Sequence, residues 1–368
     1  MAKNVVICCD GTGNMFGAQN SNVVKVYKTL IRDSSQIAYY HPGVGTMGAR
    51  GALTWFGKWW TRLVGLAFGY GTSDNIADAY QFLMGNFEPG DRIFVFGFSR
   101  GAYIARALCG LLHVVGLLTK GNEGLIPYAI RMVKARKINF DVAADFKKTF
   151  SRECRPHFLG VWDTVSSVGW IYNAVYFPFT WKNPDIQVVR HAVSIDERRA
   201  FFRQNLFNRV PVPGQDIENV WFAGVHSDVG GSYPEVESQL SQLALRWMLC
   251  EAEKAGLSVD VHRKAEVLGG KPPSVAPDPA TRNQHESLRR WWWIAEVWPK
   301  VVHVQTPQGT WKKSIRLNLG RRRSIPPGSM VHESVESRLT KAVPRYAPSN
   351  LPDQRSMVRD QRLYGALE

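Results

Sequence analysis

A chain of 368 residues, 45% hydrophobic and 21% charged, is long enough to bury a substantial core, either as one large α/β domain or as a catalytic core with an appended region. No stretch approaches the ~20 consecutive apolar residues of a membrane span, and the N-terminus enters a strand-like run without a signal-peptide profile, so a soluble protein made in the cytosol is expected. The formal charge of +15 favours an anionic partner (a phospholipid surface, nucleic acid or an acidic protein) without choosing among them.

Val5–Cys9 reads as a fully buried strand, followed by the turn-rich Asp10-Gly11-Thr12-Gly13-Asn14. Its adjacent Cys8 and Cys9, like the scattered Cys109, Cys154 and Cys250, show no metal-ligand spacing and read as buried reduced thiols. Gln36–Tyr40 predicts a second strand running into His41-Pro42-Gly43. After a glycine-rich stretch, Ile76, Tyr80, Leu83, Met84 and Phe87 mark one face of a helix capped by Ser73 and stopped by Pro89-Gly90.

Phe94–Gly101, FVFGFSRG, then joins a buried-strand run to a helical pattern at Ile104, Leu108, Leu111, Leu112 and Val115, with Ser99 at the centre of Gly-x-Ser-x-Gly. Three fixed positions of this kind arise by chance roughly 0.1 times in such a chain. The strand before and the helix after make it read as a nucleophile elbow, a sharp turn that projects the serine toward substrate. Further on, His157–Trp162 is an apolar run that stops at Asp163, and Asn219–Gly224 is another that stops just before His226. Leu240, Leu243, Ala244, Trp247 and Met248 give one more amphipathic helix.

Strands alternating with helices predict βαβ units and a mostly parallel central sheet flanked by helices, with active residues at the carboxyl ends of strands. Past about Gly256 the character changes: Lys271–Pro279 is proline-rich, Arg289–Trp298 sets arginines beside four tryptophans, and Arg321–Arg323 is a basic run. The expected organisation is a catalytic core over residues 1–256 and a C-terminal, lid-like elaboration over 257–368 that completes it.

Ser99, Asp163 and His226 follow the nucleophile–acid–histidine order of α/β-hydrolases. In that reading Ser99 attacks an ester carbonyl, His226 is general base and then acid, and Asp163 orients the imidazole. The oxyanion would take the backbone N–H of Arg100 and another from the Gly11–Thr12 turn. Asp10, Asp228 and Asp196 compete with Asp163 for the third role, and His332 with His226 as base. Asp163 could equally cap the segment that follows it.

The segments CDGTGN (Cys9–Asn14), HPGVGT (His41–Thr46), NIADAYQFL (Asn75–Leu83), PGDRIFVFGFSRGAYIAR (Pro89–Arg106), GVWDTVSSVG (Gly160–Gly169), HAVSIDERR (His191–Arg199) and VWFAGVHSDVGGSYPE (Val220–Glu235) together resemble the catalytic domain of type VI secretion phospholipase effectors. VHESVESRL (Val331–Leu339) and YAPSNLP (Tyr346–Pro352) resemble the family's closing segment. The resemblance implies an α/β-hydrolase-like fold and lipid-ester hydrolysis by a triad carried onto Ser99, Asp163 and His226; a serine hydrolase of this kind is expected to need no cofactor and no metal. Were the chain an effector, export by a route without a signal peptide and partners such as a secretion component or an immunity protein would be expected, but the resemblance of the core alone does not imply antibacterial delivery. Residues between Gly256 and Gly328 align with nothing in the family.

A phospholipid substrate requires an interface. Trp55, Phe56, Trp59 and Trp60 with Lys58 and Arg62, the almost uncharged, aromatic-rich run Trp170–Trp181, and the arginine- and tryptophan-bearing Arg289–Trp298 have the make-up of interfacial segments, and equally that of core or lid packing. No nucleic-acid-binding module is recognisable. Two other readings stay open: a metal-dependent phosphohydrolase using Asp10, Asp163, His226 and Asp228, and a non-catalytic membrane-binding or interaction module on the same fold.

Overall fold

Runs of β-branched and aromatic residues with no polar alternation are what a parallel sheet covered on both faces demands. The computed structural model describes residues 2–11, 14, 17, 19–43, 72–134, 138–165, 169–170, 173–174, 177–208, 210–269, 282–289, 292–297, 300–305, 311–341 and 346–360. Eight strands form its central sheet: β1 (Asn4–Cys9), β2 (Gln36–His41), β3 (Arg92–Phe98), β4 (Pro156–Trp162), β5 (Val188–Ser194), β6 (Asp216–Phe222), β7 (Ser329–His332) and β8 (Arg355–Val358). Their spatial order is β8-β7-β6-β5-β4-β3-β1-β2, and every neighbouring pair is parallel.

Alternate residues of the strands serve the two faces. Val5, Ile7, Cys9, Ile93, Val95, Leu159 and Val161 pack under α2 (Thr72–Asn86), α3 (Arg100–Val115), α4 (Ile126–Lys134) and α5 (Phe140–Phe150). Val6, Cys8, Phe94, Phe96, Phe158 and Trp162 face α1 (Asn22–Thr29) and α7 (Gln239–Lys254), while a short helix, α6 (His226–Gly230), follows β6. Cys8 and Cys9 thus enter opposite halves of the core as free thiols, and burial, then the nearby Asp10, pushes the Cys9 thiol up to about 12.

From β1 the chain moves to one edge of the sheet and returns past β1 to β3, then proceeds strand by strand to the other edge. The strand order changes direction between β1 and β3, and the carboxyl ends of the strands at such a switch point are where open α/β sheets bind ligands. Two glycines make the junction of β3 and α3 close enough to fit there. A Cβ on Gly97 would lie 2.6 Å from the Gly101 carbonyl oxygen, and one on Gly101 would lie 2.2 Å from the Cys9 carbonyl oxygen and 2.4 Å from that of Asp10. Both obstacles are backbone and cannot swing away.

The structure differs from the sequence reading at several elements. The helix expected from Ser73 begins at Thr72, and β5 was not anticipated. Residues beyond 256 supply β7 and β8 to the central sheet, alongside a separate antiparallel hairpin of Lys300–Gln305 with Trp311–Arg316. The cluster Trp55–Arg62, the proline-rich Lys271–Pro279 and, within Trp170–Trp181, residues 171–172 and 175–176 lie outside the described residues. Among the described residues, no helix is long and apolar enough to cross a membrane.

The glycine packing predicts that Gly101→Ala destabilises the fold severely, whereas Gly85→Ala, whose added Cβ meets nothing within 4 Å, changes stability by no more than about 1 kcal/mol. Thermal unfolding of the two purified variants checks this; equal melting temperatures would contradict it.

Candidate active site

Ser99 follows β3 with φ 59° and ψ −119°, a conformation that costs an L-residue on the order of 1–3 kcal/mol and persists only when the surroundings enforce it. Here the Ser99 N–H donates to the Trp162 carbonyl (3.0 Å) at the end of β4, and the Ser99 carbonyl accepts from Tyr103 N (3.4 Å) as α3 begins. Strand and helix therefore hold the residue from both sides.

Asp163 terminates β4. Its N–H donates to the Ala192 carbonyl (2.7 Å), and its own positive φ of 40° breaks the strand. His226 opens α6, four residues after β6. Gly224, at φ 105°, donates to Asp196 Oδ2 (2.8 Å), Val225 N–H to Asp228 Oδ2 (3.0 Å) and His226 N–H to Glu197 Oε2 (3.2 Å). Three carboxylates thereby cap the start of a helix too short to be stable alone. Gly230 then leaves room for the Phe98 ring, which a Cβ there would approach to 1.9 Å.

These turns bring three side chains into one line. Ser99 Oγ lies 2.9 Å from His226 Nε2, and His226 Nδ1 lies 2.5 Å from Asp163 Oδ2. The imidazole sits between the rings of Phe98 and Phe202, each 4.7 Å away between centroids. Burial lowers the His226 pKa from its ordinary value against the opposing pull of Asp163, so the ring is held neutral, with Nδ1–H donated to Asp163 and the Nε2 lone pair facing the serine hydroxyl. Burial would raise Asp163, but the Arg323 guanidinium, followed by His226, holds it well below the usual carboxylate range.

Arg323 comes from the basic run near the end of the chain. Its Nη1 and Nη2 reach Asp163 Oδ1 (2.5 Å) and Oδ2 (3.0 Å), while Ser194 N–H donates to Oδ1 (2.9 Å). Glu197 was likewise not singled out. It receives Arg199 Nη2 (2.9 Å) and Ser287 Oγ (3.0 Å) as well as the His226 amide.

The rival residues are engaged elsewhere. Asp10 accepts from Gly11 N–H (2.6 Å), Asn14 Nδ2 (3.2 Å), Ser21 Oγ (2.8 Å) and Tyr40 OH (2.8 Å), and burial raises its pKa. Asp228 is bound by Val225 and by the backbone and ring of His285, and Asp196 by Gly224, Tyr346 and Arg322. His332 bonds Ser334 and stacks on Phe222. The Gly11 amide, expected at the oxyanion site, is committed to Asp10; Thr12 lies outside the described residues; the Arg100 amide stands in the first turn of α3. Among the described residues, no three His, Cys, Asp or Glu side chains group as a metal site.

Comparison with known proteins matches residues 3–251 to the model of the T6SS phospholipase effector Tle1-like catalytic domain. The chain is 27% identical to Uncharacterized protein YEL023C of Saccharomyces cerevisiae, an alignment covering 95% of this chain and 81% of that protein. Among solved structures, an uncharacterized protein from Pseudomonas aeruginosa aligns with TM-score 0.41 and 20% identity over 74% of this chain and 48% of its own. The Tle1 effector bound to the VgrG spike of the type 6 secretion system aligns with TM-score 0.35 and 20% identity over 64% and 52%. The chain thus spans about half the length of each of these two solved chains. With the family model matched over more than half its length, the chain belongs to the Tle1-like catalytic-domain family of type VI secretion phospholipase effectors.

Proposed function

We propose that the chain is a serine carboxylester hydrolase of the phospholipase A or lipase-like kind, in which Ser99 is the nucleophile, His226 the general base and acid, and Asp163 the residue that orients the imidazole. The observation that carries this reading is the continuous hydrogen-bond line from Ser99 Oγ through both nitrogens of His226 to Asp163, built on a serine held in a strained elbow. Ser99 Oγ attacks the ester carbonyl carbon as its proton passes to His226 Nε2. The new imidazolium is stabilised across the 2.5 Å contact to Asp163. The tetrahedral oxyanion takes the Arg100 backbone N–H, the position after the nucleophile. His226 then returns the proton to the leaving alcohol, and water repeats the sequence on the acyl-enzyme.

Family membership supports a lipid ester as substrate, and the +15 charge supports an anionic headgroup or surface. The metal-dependent alternative has less support, because Asp10 and Asp228, two of its four ligands, already have their carboxylate oxygens filled by protein donors.

With vesicles containing phosphatidylglycerol, the protein is expected to release fatty acid at a rate insensitive to a chelator, and Ser99→Ala and His226→Ala each lower that rate at least about a thousandfold. Release that survives Ser99→Ala, or that stops on chelation, would contradict the reading. The pH dependence follows from the direction of the His226 shift. A protonated imidazole cannot take the serine proton, so kcat/KM is lost as pH falls through the His226 pKa; because burial lowers that pKa, the acid limb lies below the ~6.5 of an ordinary histidine. A limb above that value, measured on a soluble ester, would contradict the assignment.

A further inference from the structure

The residues around the Asp163–His226 pair fall into closed sets of charge. Glu197 is paired with Arg199 (2.9 Å), Asp196 with Arg322 (2.9 Å) and Asp228 with His285 (2.6 Å). The nearby His191 accepts from Thr164 N–H (3.2 Å), and burial pushes it down to about 3, so it carries no charge near neutrality. That leaves Arg323 as the one cation, among the described residues, bonded to the Asp163 carboxylate itself.

Both terminal nitrogens of its guanidinium make further hydrogen bonds. Nη1 also donates to Ser194 Oγ (2.7 Å) and the Ser194 carbonyl (3.1 Å), and Nη2 to the Phe202 carbonyl. The backbone carbonyl of Arg323 accepts from Asn350 Nδ2 (3.1 Å), whose other hydrogen reaches the Ile195 carbonyl (3.0 Å). A planar fork meeting a carboxylate in two bonds fixes the plane of that carboxylate. The same contact places a positive charge beside the pair, which opposes addition of a proton to it. Arg323 lies outside residues 3–251, the part of the chain that matches the catalytic-domain family.

We propose that Arg323 is a positioning residue of the active site: it clamps both carboxylate oxygens of Asp163 and holds the Asp163–His226 pair in the form with an ionised aspartate and a neutral imidazole. The proposal rests on the triad reading above. It makes the C-terminal region part of the catalytic apparatus, with a role distinct from covering it. Asp163 and His226 are close enough to titrate as a unit, so removal of the adjacent cation favours a proton on the pair whichever residue receives it. Either product is inactive, because one has lost the oriented aspartate charge and the other the free Nε2.

The test is the pH profile of kcat/KM on p-nitrophenyl butyrate for wild type, Arg323→Lys and Arg323→Met, each checked for folding by circular dichroism. Arg323→Met is expected to move the acid limb up by about 1–3 pH units, the range over which an adjacent opposite charge moves a carboxyl group. Arg323→Lys keeps the charge and so keeps the limb near the wild-type position, even where the rate falls. A folded Arg323→Met with an unmoved limb, or a Lys variant whose limb moves as far, overturns the proposal. Should Arg323→Met not fold, Asp163→Asn removes the charge that needs it. In that background Arg323→Met is expected to leave kcat/KM within about twofold, and a further loss of tenfold or more overturns the proposal because Arg323 would then act by another route. Turnover that persists in Ser99→Ala overturns the triad reading itself, independently of Arg323.

Discussion

A carboxylate with no exposure to water sits at the middle of this molecule, and much of the surrounding architecture satisfies it. Transfer of an ion of this kind from water into a protein interior costs several kcal/mol even after relaxation, so Asp163 is tolerable only with its oxygens fully bonded. The donors arrive from distant parts of the chain: Ser194 at the end of β5, His226 after β6, and Arg323 just before β7. Correct register of these strands is therefore a condition for burying the charge. The buried charge in turn makes any slip of register costly, because a one-residue shift would remove its donors while leaving it desolvated.

The serine side of the site follows from a different constraint, that of space. β1, β3 and the first turn of α3 approach so closely that Gly97 and Gly101 meet only backbone, and Ser99 between them is held at positive φ. The strain is offset by the sheet ladder on one side and the helix on the other, so the hydroxyl is presented without a flexible search for His226. Pre-organisation thus comes from steric limits at Ser99 and from charge compensation at Asp163. The histidine is where the two meet, pressed between Phe98 from the elbow strand and Phe202 from the β5–β6 connection.

What could be read in the amino-acid sequence was what local pattern encodes. β1 and β3 are unbroken apolar runs, and α3 and α7 repeat their apolar residues at helical spacing, so each announces itself within a few residues. β5 did not, because Arg190 and His191 interrupt its apolar run; Arg190 is there to bond Asp216 and Glu251, partners 26 and 61 residues away. Arg323 reads as one member of a basic run for the same reason. Its partner is 160 residues away, and no spacing rule reports a contact of that range. Ser99, Asp163 and His226 were legible as candidates because each ends or follows a recognisable strand, whereas the competing roles of Asp10, Asp196 and Asp228 became distinguishable only when their hydrogen-bond donors were known.

The central claim is that the Ser99 hydroxyl is chemically activated by His226. Reaction of the purified protein with a fluorophosphonate probe, followed by mass mapping of the adduct in wild type and in His226→Ala, tests it most directly. The account predicts a single covalent phosphonate on Ser99 in the wild type, formed at least about a hundredfold more slowly when His226 is replaced. A folded wild-type protein left unlabelled, or a label on Ser99 whose rate is indifferent to His226, would contradict it.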